Sequence, residues 1–161
     1  MRVSERGRAL LAAWEGGARL RAYADSGGAM TIGVGHLLTG DELSSGRVII
    51  AGEPVPWRDG LSEAQADALL ADDLGEAEAV VNSRVCRALA QNQFDALVSF
   101  TFNVGAAAFI SSTLLKRINA GMLQDVPAQL RRWVYDNGAR VKGLINRREA
   151  EVRLWEEGDH A

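Results

Sequence analysis

Three side chains in the N-terminal part of the chain, Glu15, Asp25 and Thr31, have the types and spacing that acid and base chemistry on a sugar requires. Cleaving a glycosidic bond needs a protonated carboxyl that donates to the leaving oxygen and an ionised carboxylate that handles a water or the developing positive charge. Glu15 ends a helical segment beside Trp14 and Asp25 lies in a Gly-rich turn, so the two carboxyl groups are expected to have different environments. The sequence therefore offers an acid and a base.

Each of these residues also has a simpler interpretation. Charged residues at helix ends are mostly exposed surface groups, Asp before Ser-Gly-Gly is a common turn former, and Thr favours strands because of its β-branched shape. It is the conjunction of the three that points to catalysis.

His36 is the remaining candidate for chemistry in this stretch. It could be a base or a metal ligand, but no second His, Cys or carboxylate stands at ligand spacing. We therefore interpret His36 as a structural residue with a hydrogen-bond partner. Among the acidic residues of the next long helix, Asp72 and Asp73 are within reach, and we favour Asp73.

A helix and a hairpin should position the three side chains. Residues 4–14 are helical in period, and Gly16-Gly17 is typical of the chain just beyond a helix C-terminus. Residues 19–23 and 30–34 favour strands, and the Asp-Ser-Gly-Gly sequence at 25–28 favours a turn between them. Glu15 then closes the helix, Asp25 lies at the hairpin turn and Thr31 lies just inside the returning strand.

This stretch resembles the catalytic segment of the phage-type lysozymes, the endolysin muramidases of glycoside hydrolase family 24. That family shows Glu-Gly, then Leu-x-x-Tyr-x-Asp, then Thr-Ile-Gly-x-Gly-His, which match residues 15–16, 20–25 and 31–36. The run TIGVGHLLT is especially similar to the T-even phage lysozymes. The resemblance implies catalytic roles for Glu15, Asp25 and Thr31. The family usually places the Asp nine residues after the Glu, and here it is ten, so we expect the turn at 16–18 to loop out one residue.

Two later segments extend the resemblance over nearly the whole chain. SFTFNVGAAAF at 99–109 is similar to the family's Phe-Asn-Val-Gly segment beside the cleft, and Asn-Arg-Arg at 146–148 is similar to its late Asn-Arg. By themselves Asn103 would be a helix-terminus residue and Arg147 a solvated helix charge. The resemblance instead implies that Asn103 and Arg147 bind substrate.

The fold that period and resemblance indicate is α+β and lysozyme-like, a single domain over 1–161. We expect a small β-hairpin lobe at 15–60, a long linking helix at 61–82 that begins with a capping box, and an all-helical lobe at 83–161 packed with helix 4–14. Short strands are expected at 47–50 and 55–57. The later helices are expected at 91–102, 106–120, 126–135 and 146–156.

Composition excludes several classes of protein. The formal net charge of −3 argues against a general nucleic-acid binder, and the single cysteine, Cys86, allows no internal disulfide. No basic segment followed by a long apolar run indicates a signal peptide or a membrane span. We expect a monomer without a metal or organic cofactor.

The function that the resemblance implies is hydrolysis of the β-1,4 bond between N-acetylmuramic acid and N-acetylglucosamine in peptidoglycan, leading to host lysis. Such an enzyme would wait in the host cytoplasm, be released through a separate holin, and act in the periplasm or cell wall. Two alternatives stay open: a lytic transglycosylase, which needs the acidic Glu but no Asp and Thr pair for water, and a catalytically silent wall-binding domain.

Overall fold

The computed structural model describes residues 1–160 and shows the expected α+β architecture. The chain forms two compact units. We call Arg8–Gly75 the hairpin unit, and Met1–Gly7 together with the chain from Glu76 onward the helical unit. The division between them falls inside the two helices predicted at 4–14 and 61–82.

The hairpin unit contains two small antiparallel sheets and the helices that flank them. The three-stranded sheet has the order β1, β2, β3, and the second sheet is the pair β4 and β5. The elements are α1 (Glu5–Trp14, which begins in the helical unit), β1 (Arg19–Ala24), β2 (Met30–Gly33), β3 (His36–Leu37), α2 (Gly40–Ser45), β4 (Arg47–Ile50), β5 (Glu53–Pro56) and α3 (Glu63–Asp73).

An apolar cluster holds the hairpin unit together. It joins both sheets to α3 through side chains that are at most 7% exposed: Ile32, Leu38, Val48, Ile50, Trp57, Leu61 and Leu69. Burial of such side chains stabilises a fold by roughly 1.5–3 kcal/mol each. Helix α3 begins where the sequence indicates, because Ser62 and Gln65 form the capping box. The sheet that carries Asp25 and Thr31 is therefore anchored on a packed core.

The helical unit packs several helices around α5, a helix that is buried over most of its length. The elements are α4 (Gly75–Arg84), α5 (Gln91–Val104), α6 (Ala106–Ile110), α7 (Thr113–Asn119), a 3-10 turn (Leu123–Asp125), α8 (Val126–Leu130), β6 (Tyr135–Asp136), β7 (Ala139–Arg140), α9 (Lys142–Glu156) and a final 3-10 turn (Glu157–His160). Phe100 of α5 makes edge-to-face contacts with Phe109 and Trp133, with ring centroids 6.4 and 5.4 Å away. Phe102, on the same helix, is only half-buried.

Two predicted helices are interrupted, and a third is shorter than expected. The helix expected at 61–82 is interrupted at Leu74, just before Gly75, a poor helix former, and becomes α3 and α4. The helix expected at 106–120 is broken by Ser112, whose hydroxyl accepts from the Leu115 N–H at 3.1 Å and so begins α7. The helix expected at 126–135 ends at Leu130.

The helical unit also contains a hairpin that the sequence reading did not foresee. Strands β6 and β7 pair through Tyr135 with Arg140 and Asp136 with Ala139. The two residues between them, Asn137 and Gly138, have φ angles of 49° and 79°, the left-handed conformation that a two-residue hairpin turn requires. Among residues 1–160, no helix has both the length and the hydropathy of a membrane span.

Candidate functional site

Glu15 is the first residue after α1, and its side chain is exposed. Its backbone N–H still donates to the Leu11 carbonyl at 3.0 Å, so the residue is held by the last turn of the helix. Gly16 and Gly17 follow with φ angles of 91° and 88°, which turn the chain away from the helix axis. The helix end therefore fixes the backbone of Glu15 and leaves its carboxyl accessible.

Asp25 and Thr31 are tied together by one residue of the hairpin turn, Ala29. Asp25 Oδ1 accepts from the Gly27 N–H at 2.9 Å and from the Ala29 N–H at 2.8 Å. Thr31 Oγ1 donates to the Ala29 carbonyl at 3.2 Å. Because Thr31 is only 5% exposed and Asp25 is half-buried, both side chains are held in defined orientations. Neither bond of Asp25 uses Oδ2, which leaves that oxygen for a ligand or a water.

The pairing of β1 with β2 contains an irregularity in the stretch between Glu15 and Asp25. Arg19 pairs with Gly33 and Tyr23 pairs with Thr31, so the three residues 20–22 stand opposite Ile32 alone. A bulge of this kind takes up extra residues without changing the pairing beyond it. The register at Tyr23 and Thr31 is regular, so the arrangement of Asp25 and Thr31 at the turn does not depend on the number of residues between Glu15 and the bulge.

His36 has the partner favoured from the sequence. Its Nδ1 lies 2.8 Å from Asp73 Oδ2, and its Nε2 lies 3.1 Å from both carboxylate oxygens of Glu42. Glu42 in turn accepts from the Thr39 N–H in the capping box of α2. The two carboxylates raise the pKa of His36 to about 9, with the Asp73 bond as the largest cause. The imidazolium links β3, α2 and α3 inside the hairpin unit.

The pKa of His36 predicts a stability that depends on pH. A pKa raised from 6.5 to about 9 contributes fully below pH 6.5 and is lost as pH rises through about 9. At 1.36 kcal/mol per unit the contribution is about 3 kcal/mol. Urea unfolding at pH 6 and pH 10 should show this loss in the wild type, and His36→Asn should show a much smaller one. A His36→Asn variant with the full wild-type dependence on pH would contradict the assignment.

Asn103 lies near the end of α5, where its side chain is exposed. Its Oδ1 accepts from Arg148 Nη2 at 2.5 Å. Arg148 is completely buried, and its guanidinium lies 5.0 Å from the centre of the Phe100 ring. The predicted binding residue is therefore held by a buried arginine that the sequence reading did not single out.

Arg147 is not the solvated helix charge that its residue type alone favours. Its side chain is 7% exposed, and its Nε lies 3.1 Å from Glu151 Oε1. Its Nη2 donates to the carbonyl and the hydroxyl oxygen of Ser99, at 3.3 and 3.2 Å. Helix α9 is thus joined to α5 through a buried ionic group.

Glu151 is the centre of this group. It is completely buried, it accepts from the Ser99 hydroxyl at 2.8 Å, and its Oε2 lies 2.9 Å from Arg148 Nε. Burial raises the pKa of Glu151 and lowers the pKa of Arg148, while the attraction between the two groups opposes both shifts. One carboxylate therefore holds both Arg147 and Arg148 in place.

A cavity of about 640 Å³ opens on the helical unit beside this ionic group. Its walls include Asn103, Arg148, Trp133 and, from the unforeseen hairpin and the segment before it, Arg132, Tyr135 and Asp136. Such a cavity, with aromatic side chains and a few polar groups, is typical of a small-molecule site.

Several residues of this region could have been found from the sequence. The spacing of Arg147 and Arg148 to Glu151, four and three residues along one helix, is that of ion pairs, and Asn-Gly is a strong hairpin signal. The burial of the ion pairs has no such signal, because the helical period alone does not show which charged side chains face inward.

Known proteins are similar to this chain over almost its entire length. The phage lysozyme family matches residues 12–151, a range that includes both the hairpin with Asp25 and Thr31 and the helices that carry Asn103 and Arg147. An endolysin of Acyrthosiphon pisum secondary endosymbiont phage 1 is 38% identical over 160 residues, which cover 97% of this chain and 99% of that protein. A SAR-endolysin of Escherichia phage Mu is 38% identical over 133 residues, covering 83% of this chain and 69% of that protein.

Solved structures agree with the sequence relatives. The crystal structure of a point mutant of P22 lysozyme superposes with a TM-score of 0.80 at 33% identity, covering 96% of this chain and 98% of that one. An endolysin from the Escherichia coli O157:H7 phage FAHEc1 superposes with a TM-score of 0.78 at 34% identity, covering 98% of this chain and 95% of that one. Sequence and structure therefore point to the same group of proteins.

Proposed function

Because this chain belongs to the phage lysozyme family, whose members are glycoside hydrolases that degrade peptidoglycan, we propose that it cuts the β-1,4 bond between N-acetylmuramic acid and N-acetylglucosamine. One observation carries the proposal. Asp25 and Thr31 both hydrogen-bond to Ala29, so the hairpin turn holds a carboxylate and a hydroxyl group together. Glu15 at the end of α1 is the proposed general acid.

The hydrogen-bond polarity at Thr31 supports a role in holding water. The hydroxyl proton of Thr31 is donated to Ala29, so its oxygen is left to accept. Asp25 Oδ2 is an acceptor as well. A water that donates one proton to each of these oxygens keeps a lone pair for attack on the anomeric carbon. Asp25 is then the general base and Thr31 the group that orients the water.

On the helical unit, the proposed substrate-binding residues are Asn103 and Arg147. Asn103 is exposed at the cavity and can contact a ligand directly. Arg147 is buried against Ser99 and Glu151, so its guanidinium would contribute to substrate binding from a fixed position. His36 and Asp73 keep the structural role described for the hairpin unit.

The cellular role that we propose is host lysis by a monomeric enzyme held in the host cytoplasm, released through a separate holin, and acting on the wall from the periplasm. The endolysin names of the two phage relatives support a role in lysis. No cofactor is part of the proposed reaction.

The test is the purified protein on outer-membrane-permeabilised bacterial cells. We expect turbidity to fall and hydrolytic products with free reducing ends to accumulate. Anhydro-muropeptides among the products would instead identify a lytic transglycosylase. Binding to walls without any loss of turbidity would identify a silent wall-binding domain.

The Asp25→Asn variant tests the charge of Asp25 without changing the geometry of the turn. An amide oxygen can still accept from the N–H groups of Gly27 and Ala29, so Asp25→Asn should keep the hairpin but lose the base. We expect the rate of lysis to fall at least about a hundredfold, the lower range for a positioned acid or base group. Thr31→Ala should cost less, because another water can partly replace its hydroxyl. Both rates are measured by turbidity.

Asp41 provides the matched control, because it is an exposed carboxylate of the same unit at the start of α2. Asp41→Asn should lyse at the wild-type rate. An unchanged rate for Asp25→Asn together with a loss for Asp41→Asn would move the base to Asp41.

A further inference from the structure

We propose that the cavity of the helical unit binds the acetamido carbonyl of an N-acetylated amino sugar through the side-chain N–H groups of Asn103, which Arg148 and Glu151 hold in a donating orientation. This inference rests on the proposed function, since both sugars of the proposed substrate carry acetamido groups. It adds the hydrogen-bond polarity of the site and assigns Arg148 and Glu151 as positioning residues.

The first step concerns the orientation of the Asn103 amide. An arginine side chain has five donors and no acceptor, so the atom that faces Arg148 must be the amide oxygen. The nitrogen, with two donors, is then on the other branch of the amide. Because Asn103 is exposed and lines the cavity, these two N–H groups are offered to a ligand, and a ligand that pairs with them must be an acceptor.

The second step concerns how firmly this orientation is held. Arg148 is completely buried between three partners: Glu151 Oε2 lies 2.9 Å from its Nε, the Trp133 carbonyl accepts from its Nη1 at 3.5 Å, and the Phe100 ring lies under its guanidinium. Arg148 thus joins the wall formed by α5 to the wall formed by the segment at Trp133. A donor fixed in this way loses little conformational freedom when a ligand binds.

The third step concerns the kind of acceptor. Trp133 and Tyr135 give the cavity aromatic walls, and Tyr135 is 60% exposed. Asp136 adds a carboxylate to the same walls, and its charge repels an anionic ligand. Arg132 adds a positive charge to the same walls. A neutral carbonyl on a ring with apolar faces satisfies the amide donors and the aromatic side chains together. The acetamido group of an amino sugar has this chemistry.

The test uses Asn103→Asp, which keeps an oxygen for Arg148 and replaces the donating nitrogen by an accepting oxygen. Binding of soluble glycan fragments of peptidoglycan, native or chemically de-N-acetylated, is measured by titration in a Glu15→Gln background so that the fragments stay intact. We expect Asn103→Asp to weaken binding of native fragments at least about tenfold, because it leaves two acceptors facing each other. De-N-acetylated fragments carry an ammonium, so their binding should be preserved or improved.

Asn137→Asp is the matched control, since Asn137 lies in the exposed β6–β7 turn and undergoes the same change of charge. It should preserve the preference for native fragments. In ¹⁵N spectra, native fragments should shift the side-chain amide signals of Asn103, which Asn103→Asp identifies by their disappearance.

The positioning role has its own readout, the ratio of affinities for native and de-N-acetylated fragments. Glu151→Gln should lower this ratio toward that of Asn103→Asp, with less change in kcat than in KM on walls. A change in stability alone would not move the ratio. Arg148→Lys, which keeps a buried cation but loses the fork of donors, should lower it as well and serves if Glu151→Gln does not fold.

The possible results distinguish a failure of this inference from a failure of the proposed hydrolase function. A wild-type protein that lyses cells, with an Asn103→Asp variant that binds both kinds of fragment as the wild type does, overturns the inference and leaves the function. A wild-type protein that neither lyses cells nor binds fragments overturns both. Loss of preference in Asn103→Asp but not in Glu151→Gln or Arg148→Lys overturns the positioning role.

Discussion

Glu15→Gln is expected to abolish lysis of permeabilised cells while the protein stays folded. The amide has nearly the shape of the carboxyl group, but its N–H groups are far too weak as acids to transfer a proton to the leaving oxygen of the sugar. General acid catalysis contributes about 10² to 10⁴ in rate, so activity should fall at least to the edge of detection in a turbidity assay. The fold should tolerate the change because the side chain is exposed and the backbone bond to Leu11 is unaffected.

Glu63→Gln is the matched control for this experiment. Glu63 is an exposed residue in the first turn of α3 in the same unit, and the substitution makes the same change in charge. It should lyse cells at the wild-type rate. Thermal unfolding followed by circular dichroism should give similar Tm values for both variants. Full lysis by Glu15→Gln would show that another group supplies the proton.

Glu151→Gln is expected to cause the largest loss of stability among single changes of a charged residue described above. The variant keeps an acceptor for the Ser99 hydroxyl but removes the charge that Arg147 and Arg148 share. Removing one partner of a buried ion pair typically costs about 3–5 kcal/mol, because the remaining charge stays in an apolar environment. The free energy of unfolding in urea measures this loss.

Glu149 offers a control two residues away on the same helix. It pairs with Arg131 at 2.7 Å, but the two side chains are 40% and 48% exposed. Surface ion pairs contribute at most about 1 kcal/mol, so Glu149→Gln should unfold close to the wild type. Equal losses for Glu149→Gln and Glu151→Gln would contradict the structural role of the buried cluster.

The part of the site built from local signals could be predicted from the sequence. The turn at 25–28, the strands on either side of it and the end of α1 all follow from glycine placement and residue type, and the structure has them within one residue of the expected limits. The contact of His36 with Asp73 was also foreseen, because acidic residues of the next helix were within its reach, but its second partner, Glu42, was not.

The features that were not predicted arise where two sequence patterns compete, or where burial depends on how helices pack. Ser112 stands in an apolar run whose period favours a continuous helix, yet its hydroxyl begins a new one. Asn137 and Gly138 carry a hairpin signal, but the strands they join are two residues long and show no alternation. The buried ionic group around Glu151 depends on how α9 packs on α5, and no pattern within α9 contains that information.

The bulge in β1 has a consequence for how this protein can evolve. Residues 20–22 already stand opposite a single residue, so one residue more or fewer there changes the size of the bulge and not the pairing of Tyr23 with Thr31. The segment from Asp25 to Thr31 has no such freedom, because its backbone groups hold the Asp25 carboxylate and the Thr31 hydroxyl. Insertions and deletions should therefore accumulate among descendants before Tyr23 and be rare after it, so that the number of residues between Glu15 and Asp25 changes while the arrangement of Asp25 and Thr31 is kept.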